Sequence, residues 1–127
     1  MKPDAAGLAI LAAIGLVAGS FLATLVLRLP KGQPIVFARS ACPACGHVLG
    51  PLELIPIASW LIQGRRCRAC GVAIPAYYPA MEIACALVAI ASGWRTSGWM
   101  TILLCAGGWT VVTLAGWAWT GANKDAA

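Results

Sequence analysis

A long run without a charged residue, residues 7–27, constrains most strongly what this chain can fold into. At about 1.5 Å per residue, a helix of this length crosses a hydrocarbon layer of about 30 Å. The chain is 61% hydrophobic and 10% charged, so its four acids and nine bases cannot supply the polar surface of a soluble domain. The sequence therefore predicts an all-α membrane protein.

We predict three transmembrane helices and one larger polar segment between the first two. By residue number, the parts are an N-terminal tail with helix one at 1–27, a small irregular domain of turns at 28–78, helix two at 79–95, helix three at 98–120 and a polar tail at 121–127. Helix two is short for a full span, so we expect Trp94 to complete it at the interface. The long apolar run after Lys2 and Asp4 predicts a retained membrane anchor rather than a cleaved signal peptide.

Basic residues are concentrated between the first two apolar runs. Six of the nine lie there, namely Arg28, Lys31, Arg39, Arg65, Arg66 and Arg68. We interpret this distribution as a marker of membrane topology, not of nucleic-acid binding. We therefore expect the polar segment and the C-terminus, with Lys124, to be cytoplasmic and the N-terminus to lie on the opposite side.

Residues 52–63, LELIPIASWLIQ, place apolar side chains at helical spacing. Ile55, Ser59 and Ile62 share one face, and Pro56 suits a first helical turn. We predict one short amphipathic helix lying near the membrane surface.

Small residues recur along the first transmembrane helix, at Ala12, Gly15 and Gly19. This spacing either lets a neighbouring helix approach closely or reflects how common small residues are in membrane helices.

Four cysteines form two Cys-x-x-Cys pairs, Cys42 with Cys45 and Cys67 with Cys70. Their separation is close to the pattern typical of zinc sites, in which two facing turns supply four thiolates to a tetrahedral ion. Because protein fills all four positions, we expect the zinc to be structural. A segment so rich in glycine and proline depends on such an ion to fold.

Other uses of the cysteines depend on compartment and context. Disulfides need an oxidising compartment, and an inverted topology would make them the preferred interpretation. A thioredoxin-type redox pair lacks its strand and helix context, and Gly46 between Cys45 and His47 excludes c-type haem attachment. With four thiols present, we expect His47 to lie beside the site rather than to bind the metal. We expect Cys85 and Cys105 to be buried apolar side chains.

Four stretches together resemble the N-terminal domain of the bacterial prepilin peptidases, membrane enzymes that cleave and N-methylate the precursors of type IV pilins and type II secretion pseudopilins. The stretches are GSFLATLVLRLP at 19–30, the CPAC turn, ELIPIASWLIQGRRCRACG at 53–71 and IPAYYPAMEIACAL at 74–87. The resemblance implies a multi-pass protein of the bacterial inner membrane with a periplasmic N-terminus. It also implies a cytoplasmic zinc ion held by Cys42, Cys45, Cys67 and Cys70.

The family's peptidase activity uses two aspartates in a C-terminal membrane domain, whereas this sequence contains only Asp4 and Asp125. We therefore expect no peptidase activity from this chain alone and assign it no catalytic residue. Ala23 and Ala86 stand where the family usually has asparagine and often has glycine, in the region associated with methyl transfer.

Glu82 is a carboxylate within a membrane helix, which is costly and indicates a paired or functional group. One interpretation is a structural pairing at the interface with Arg28 or with an arginine near the second cysteine pair. The other rests on the resemblance and is a role in methyl transfer.

Two functional hypotheses follow. The first is a non-catalytic accessory membrane protein, stabilised by zinc, that packs against a larger membrane complex. The second is a component of type IV pilin or pseudopilin processing, with N-methyl transfer as one candidate role, that works with a separate aspartic peptidase subunit. A degenerate remnant is a third, against which the intact cysteine pairs argue. The expected partners are the lipid bilayer, other membrane subunits and, for the second hypothesis, pilin precursors, but not nucleic acid.

Overall fold

A computed structural model describes residues 3–35 and 39–122 of the chain, so Lys2, Lys124 and residues 123–127 of the predicted polar tail lie outside the described residues. Its four α-helices are α1 at Ala5–Arg28, α2 at Ala58–Ile62, α3 at Tyr77–Arg95 and α4 at Trp99–Ala122, with 3₁₀ turns at Leu29–Lys31 and Pro51–Leu54. Within the described residues there is no β-strand, only two isolated bridges. The expected helical fold class is confirmed at this level.

Helices α1 and α3 pack in antiparallel contact along a stripe of glycine. A Cβ atom added at Gly15 would lie 2.5 Å from the Cα of Ala86, and one added at Gly19 would lie 2.5 Å from the Cα of Glu82. No side chain fits in either place, so the two glycines allow the backbones to approach closely. Of the two interpretations of the small residues, the structure therefore supports the packing one. Ala23, one turn beyond Gly19, is fully buried.

Helix α4 packs on α3 and returns parallel to α1. The indole Nε1 of Trp109 donates a hydrogen bond of 3.0 Å to the backbone carbonyl of Cys85. Gly108 faces Val88, and Gly116 faces the side chains of Tyr77 and Met81. The three long helices thus form an up-down-up bundle with α3 in contact with both neighbours.

The outer faces of this bundle are apolar. Large exposed side chains include Ile10, Val17 and Phe21 on α1 and Ile102, Val111 and Trp117 on α4. The helical segments Ala5–Lys31 and Trp99–Ala122 are long and apolar enough to cross a membrane, judged by length and composition. Helix α3 is not among the two helices that meet this criterion, so a third span stays a prediction.

The prediction of one amphipathic helix over residues 52–63 was wrong. The segment forms the 3₁₀ turn Pro51–Leu54, a sharp bend and the five-residue helix α2. Proline disfavours helical geometry in the residue before it, and Ile55 is accordingly extended, with φ −67° and ψ 117°. Ile57 then adopts φ +60°, which breaks the helical path a second time.

Candidate metal centre and the adjoining cavity

The two Cys-x-x-Cys segments fold into matching turns. In the first, the Cys42 amide donates to the His47 carbonyl and the Gly46 amide donates to the Cys42 carbonyl, both at 2.9 Å. The second repeats this pattern with Cys67 to Val72 at 2.8 Å and Gly71 to Cys67 at 2.9 Å. Each turn closes with an antiparallel bridge, Ala41 to Val48 and Arg66 to Ala73. Gly46 and Gly71 have φ of +73° and +72°, which explains glycine directly after each pair.

The turns bring the four sulfur atoms together. The Sγ atoms of Cys42 and Cys70 are 3.8 Å apart, those of Cys45 and Cys67 are 3.9 Å apart, and all four lie within 4.8 Å of one another. A disulfide bond is about 2.05 Å long, so these atoms are not bonded. Four sulfurs placed tetrahedrally about 2.3 Å from a zinc ion would be about 3.8 Å apart. The four cysteines can therefore hold a metal ion with little movement.

Backbone amides point at the first cysteine of each turn. The amides of Ala44 and Cys45 lower the pKa of the Cys42 thiol to about 7. The amides of Cys70 and Ala69 likewise lower the pKa of the Cys67 thiol. Since the thiolate is the metal-binding form, each turn favours the ionised state at its first cysteine.

His47 lies beside the four sulfurs and is paired with an acid. Its Nε2 atom is 3.2 Å from Oε2 of Glu53, and the same oxygen accepts a hydrogen bond of 2.9 Å from the Gly50 amide. The Gly50 amide and then His47 lower the pKa of the Glu53 carboxyl below its ordinary value. This pair connects the first metal turn to the 3₁₀ turn at Pro51–Leu54.

Glu82 has a partner that the sequence did not reveal. Its Oε2 atom accepts a hydrogen bond of 2.7 Å from the Ile57 amide, and the residue is only 5% exposed. The expected pairing with Arg28 or another arginine is absent, since the salt bridge among residues 3–35 and 39–122 is that of His47 with Glu53. The long-range contact to a loop amide depends on the tertiary fold, so no local sequence pattern could have found it.

A cavity of about 700 Å³ lies between the metal turns and the nearby ends of the long helices. Three buried side-chain atoms have no hydrogen-bond partner in the described part of the chain: Glu53 Oε1, Gln63 Oε1 and the Tyr77 hydroxyl. All three residues, together with Glu82, line this cavity. Gln63 and Tyr77 carried no signal in the sequence.

Cys85 and Cys105 are 0% and 8% exposed and stand apart from the cluster, in agreement with the expectation of apolar burial.

A family model described as the bacterial peptidase A24 N-terminal domain matches residues 13–96. The match covers most of the chain and includes the greater part of α1, both metal turns and α3. The chain belongs to this family. The resemblance inferred from the four sequence stretches is thereby confirmed.

Curated relatives carry the name prepilin leader peptidase/N-methyltransferase. The protein of Myxococcus xanthus is 48% identical over 68% of this chain and 25% of its own length. Those of Bacillus subtilis and Pseudomonas aeruginosa are 44% and 36% identical over 69% and 65% of this chain, and 36% of their own lengths. The chain thus spans about a third or less of the relatives that it matches. No solved structure gives a significant match.

Proposed function

We propose that this chain is a non-catalytic accessory protein of the bacterial inner membrane that supports prepilin processing. It packs against a membrane subunit that carries the peptidase centre. The family match and the names of the curated relatives support the link to prepilin. The observation that carries the proposal is the four-cysteine cluster within the matched N-terminal domain, which can hold a structural metal ion.

The positions of the two aspartates are compatible with a peptidase centre on another subunit. Asp4 caps the start of α1, where its Oδ1 atom accepts a hydrogen bond of 2.8 Å from the Gly7 amide. Asp125 lies outside the described residues. Within residues 3–35 and 39–122, the acidic groups near the cavity are Glu53 and Glu82, and both accept backbone amides. Two aspartates facing each other, as an aspartic peptidase needs, are therefore not supplied by the described part of this chain.

The metal in this proposal is zinc, held by Cys42, Cys45, Cys67 and Cys70. Four thiolates at tetrahedral spacing favour zinc among the ions that proteins commonly bind. Protein atoms fill every coordination position, so the ion contributes folding energy to the turns and no open position for chemistry.

The membrane arrangement in this proposal has α1, α3 and α4 as spans. The N-terminus is periplasmic, and the metal turns lie in the cytoplasm with most of the arginines. Exposed apolar residues on α4, such as Ile102 and Val111, provide the face for the larger subunit.

A second candidate is a part in N-methyl transfer, which the relatives' names mention. The favouring observation is the cavity beside Glu82, with the unpaired Tyr77 hydroxyl on its wall. If this cavity serves methyl transfer, the purified chain supplied with a labelled sulfonium methyl donor would move the methyl group to an amine of a pilin peptide, and the donor would leave as the thioether. An accessory protein would transfer none.

Affinity purification from the native membrane tests the accessory role. We expect an aspartic peptidase subunit or a prepilin to be recovered with the chain in roughly constant ratio. A large complex without either would contradict the link to prepilin processing. Peptidase activity from the purified chain alone would contradict the non-catalytic role.

A further inference from the structure

Aromatic residues mark two levels along the helical bundle. Tyr77 and Trp119 stack at one end, with ring centroids 5.8 Å apart and planes at 6°. Trp94 and Trp99 lie at the other end, at the junction of α3 and α4. From Tyr77 to Trp94 the helix rises about 26 Å, at 1.5 Å per residue, which is close to the thickness of a hydrocarbon layer. Aromatic belts of this kind typically mark the two membrane interfaces.

On the side of the metal turns, the segment of residues 51–62 extends past the level of Tyr77 and Trp119 toward the centre of the bilayer. The Ile57 amide bonds to Glu82, which lies about 7.5 Å farther along α3 than Tyr77 toward the bilayer centre. Leu54 and Pro56 share a groove with Val17 and Phe21 of α1. Val17 and Phe21 are more than half exposed on the apolar outer face of α1. The segment therefore continues a surface that we assign to lipid.

Apolar side chains of this segment point away from the protein. Leu52 is 74% exposed, Leu61 58% and Ile62 83%. Moving this apolar surface from water into lipid would be favourable by roughly 25 cal/mol for each Å² that lipid covers. Such a patch, rimmed by basic residues, indicates an interaction surface rather than a solvated loop.

Backbone polar groups near the membrane need partners, and several amides of the segment have one or are absent. Pro51 and Pro56 have no amide hydrogen. The Ile57 amide donates to Glu82, and the Ser59 and Leu61 amides donate to the carbonyls of Ile55 and Ile57. An amphipathic segment whose amides are largely bonded in this way can lie at the boundary between the lipid headgroups and the acyl chains.

Two arginines follow directly after α2. The Arg65 guanidinium lies 5.0 Å from the centroid of the Trp60 ring, and Arg66 is also exposed. Arginine and tryptophan together suit the headgroup layer, where a cation meets lipid phosphate and an indole ring meets the acyl boundary. The chain thus passes from apolar residues to cations as it leaves the helix.

We propose that residues 51–62 insert into the leaflet on the side of the metal turns. Leu61 and Ile62 contact lipid acyl chains, and Arg65 and Arg66 lie at the phosphate groups. Insertion of several ångströms is typical of a surface-bound amphipathic segment. This inference rests on the membrane-spanning arrangement of the proposed function, although not on the identity of its partner.

A photo-crosslinking amino acid placed at Ile62 in the full chain, in native membranes, tests the inference. The same residue at Phe21 is the reference for lipid contact. Val72, on the second metal turn and 42% exposed, is the matched reference outside the membrane. We expect lipid adducts by mass spectrometry at Ile62 and Phe21, at similar yield, and at least tenfold less at Val72.

Lipid adducts at Phe21 without adducts at Ile62 would overturn the insertion and leave the spanning helices intact. Crosslinks from Ile62 to protein alone would show instead that another subunit covers the segment. Failure at Phe21 as well would contradict the spanning arrangement itself, and equal adducts at Val72 would contradict the depth assignment. A second position, Leu61, must repeat the result, and unchanged metal content in every variant serves as the control for folding.

Discussion

The Glu82 carboxylate accepts a hydrogen bond of 2.7 Å from the Ile57 amide and so fixes the metal-bearing segment to the helical bundle. Ile57 is the central residue of a tight bend, in which the Ala58 amide donates to the Pro56 carbonyl at 2.5 Å. Its φ of +60° is unfavourable for a β-branched residue. Strain of this kind persists only where the surroundings hold it, and the bond to Glu82 is one of the contacts that hold this bend.

Replacing Glu82 by alanine should release this bend. A hydrogen bond to a charged group contributes about 1.5–3 kcal/mol, so we expect Glu82→Ala to lower the free energy of unfolding by that amount. Glu82→Gln keeps an oxygen acceptor and should lose less than half as much. Unfolding in detergent and protease cleavage near Ile57 measure the two effects. Equal losses for both variants would show that charge, not the hydrogen bond, is what matters.

Gly19 should tolerate no side chain. A Cβ atom there would lie 2.5 Å from the Glu82 Cα and 2.6 Å from the Met81 carbonyl oxygen, so Gly19→Ala must push α1 and α3 apart. Overpacking typically costs about 1–3 kcal/mol. Gly107 in α4 is the matched control, because an added Cβ meets nothing within 4 Å. Thermal unfolding should separate the two variants, and equal melting temperatures would contradict the close packing.

Glu53 should contribute stability that depends on pH. Because the Gly50 amide and His47 hold its pKa below the ordinary value, the carboxylate stabilises the fold above the unfolded pKa of about 4.3. That contribution is lost as pH falls through the lower folded value. The difference in unfolding free energy between the natural chain and Glu53→Gln should therefore shrink as the pH falls from about 5 toward about 2. A difference that stays constant over this range would contradict the assignment.

Removing the metal should unfold the cysteine turns and spare the helices. The turns have only short bridges and few buried apolar side chains, whereas α1 and α3 pack through their own glycine stripe. A chelator should expose residues 40–74 to protease while far-ultraviolet circular dichroism changes little. Loss of helix in parallel would show that the metal stabilises the whole chain.

Local sequence patterns predicted the structural features that form from residues close together in the sequence. The spacing of Cys42, Cys45, Cys67 and Cys70 predicted their convergence, because each pair lies within one tight turn. The spacing of Gly15 and Gly19 made a close helix contact one of two interpretations, because both lie on one helical face, and the structure supports that one. Those features need only a few neighbouring residues to form.

Features that depend on long-range contacts were not predictable. The periodicity of residues 52–63 favoured one helix, yet Pro56 and the bond from Ile57 to Glu82 impose a bend there. The cavity likewise arises only when Glu53, Gln63 and Tyr77, from separate segments, come to line one space. Single residues such as Gln63 gave no sign of this in the sequence.

Metal content and coordination of the purified chain test the central claim most directly. We expect about one zinc ion per chain, with X-ray absorption showing four sulfur ligands near 2.3 Å. Cys42→Ser should lose the metal, while Cys105→Ala, which changes a buried cysteine outside the cluster, should keep it. A chain without metal, with its four turn cysteines oxidised in pairs, would contradict the closed zinc site and the accessory role built on it.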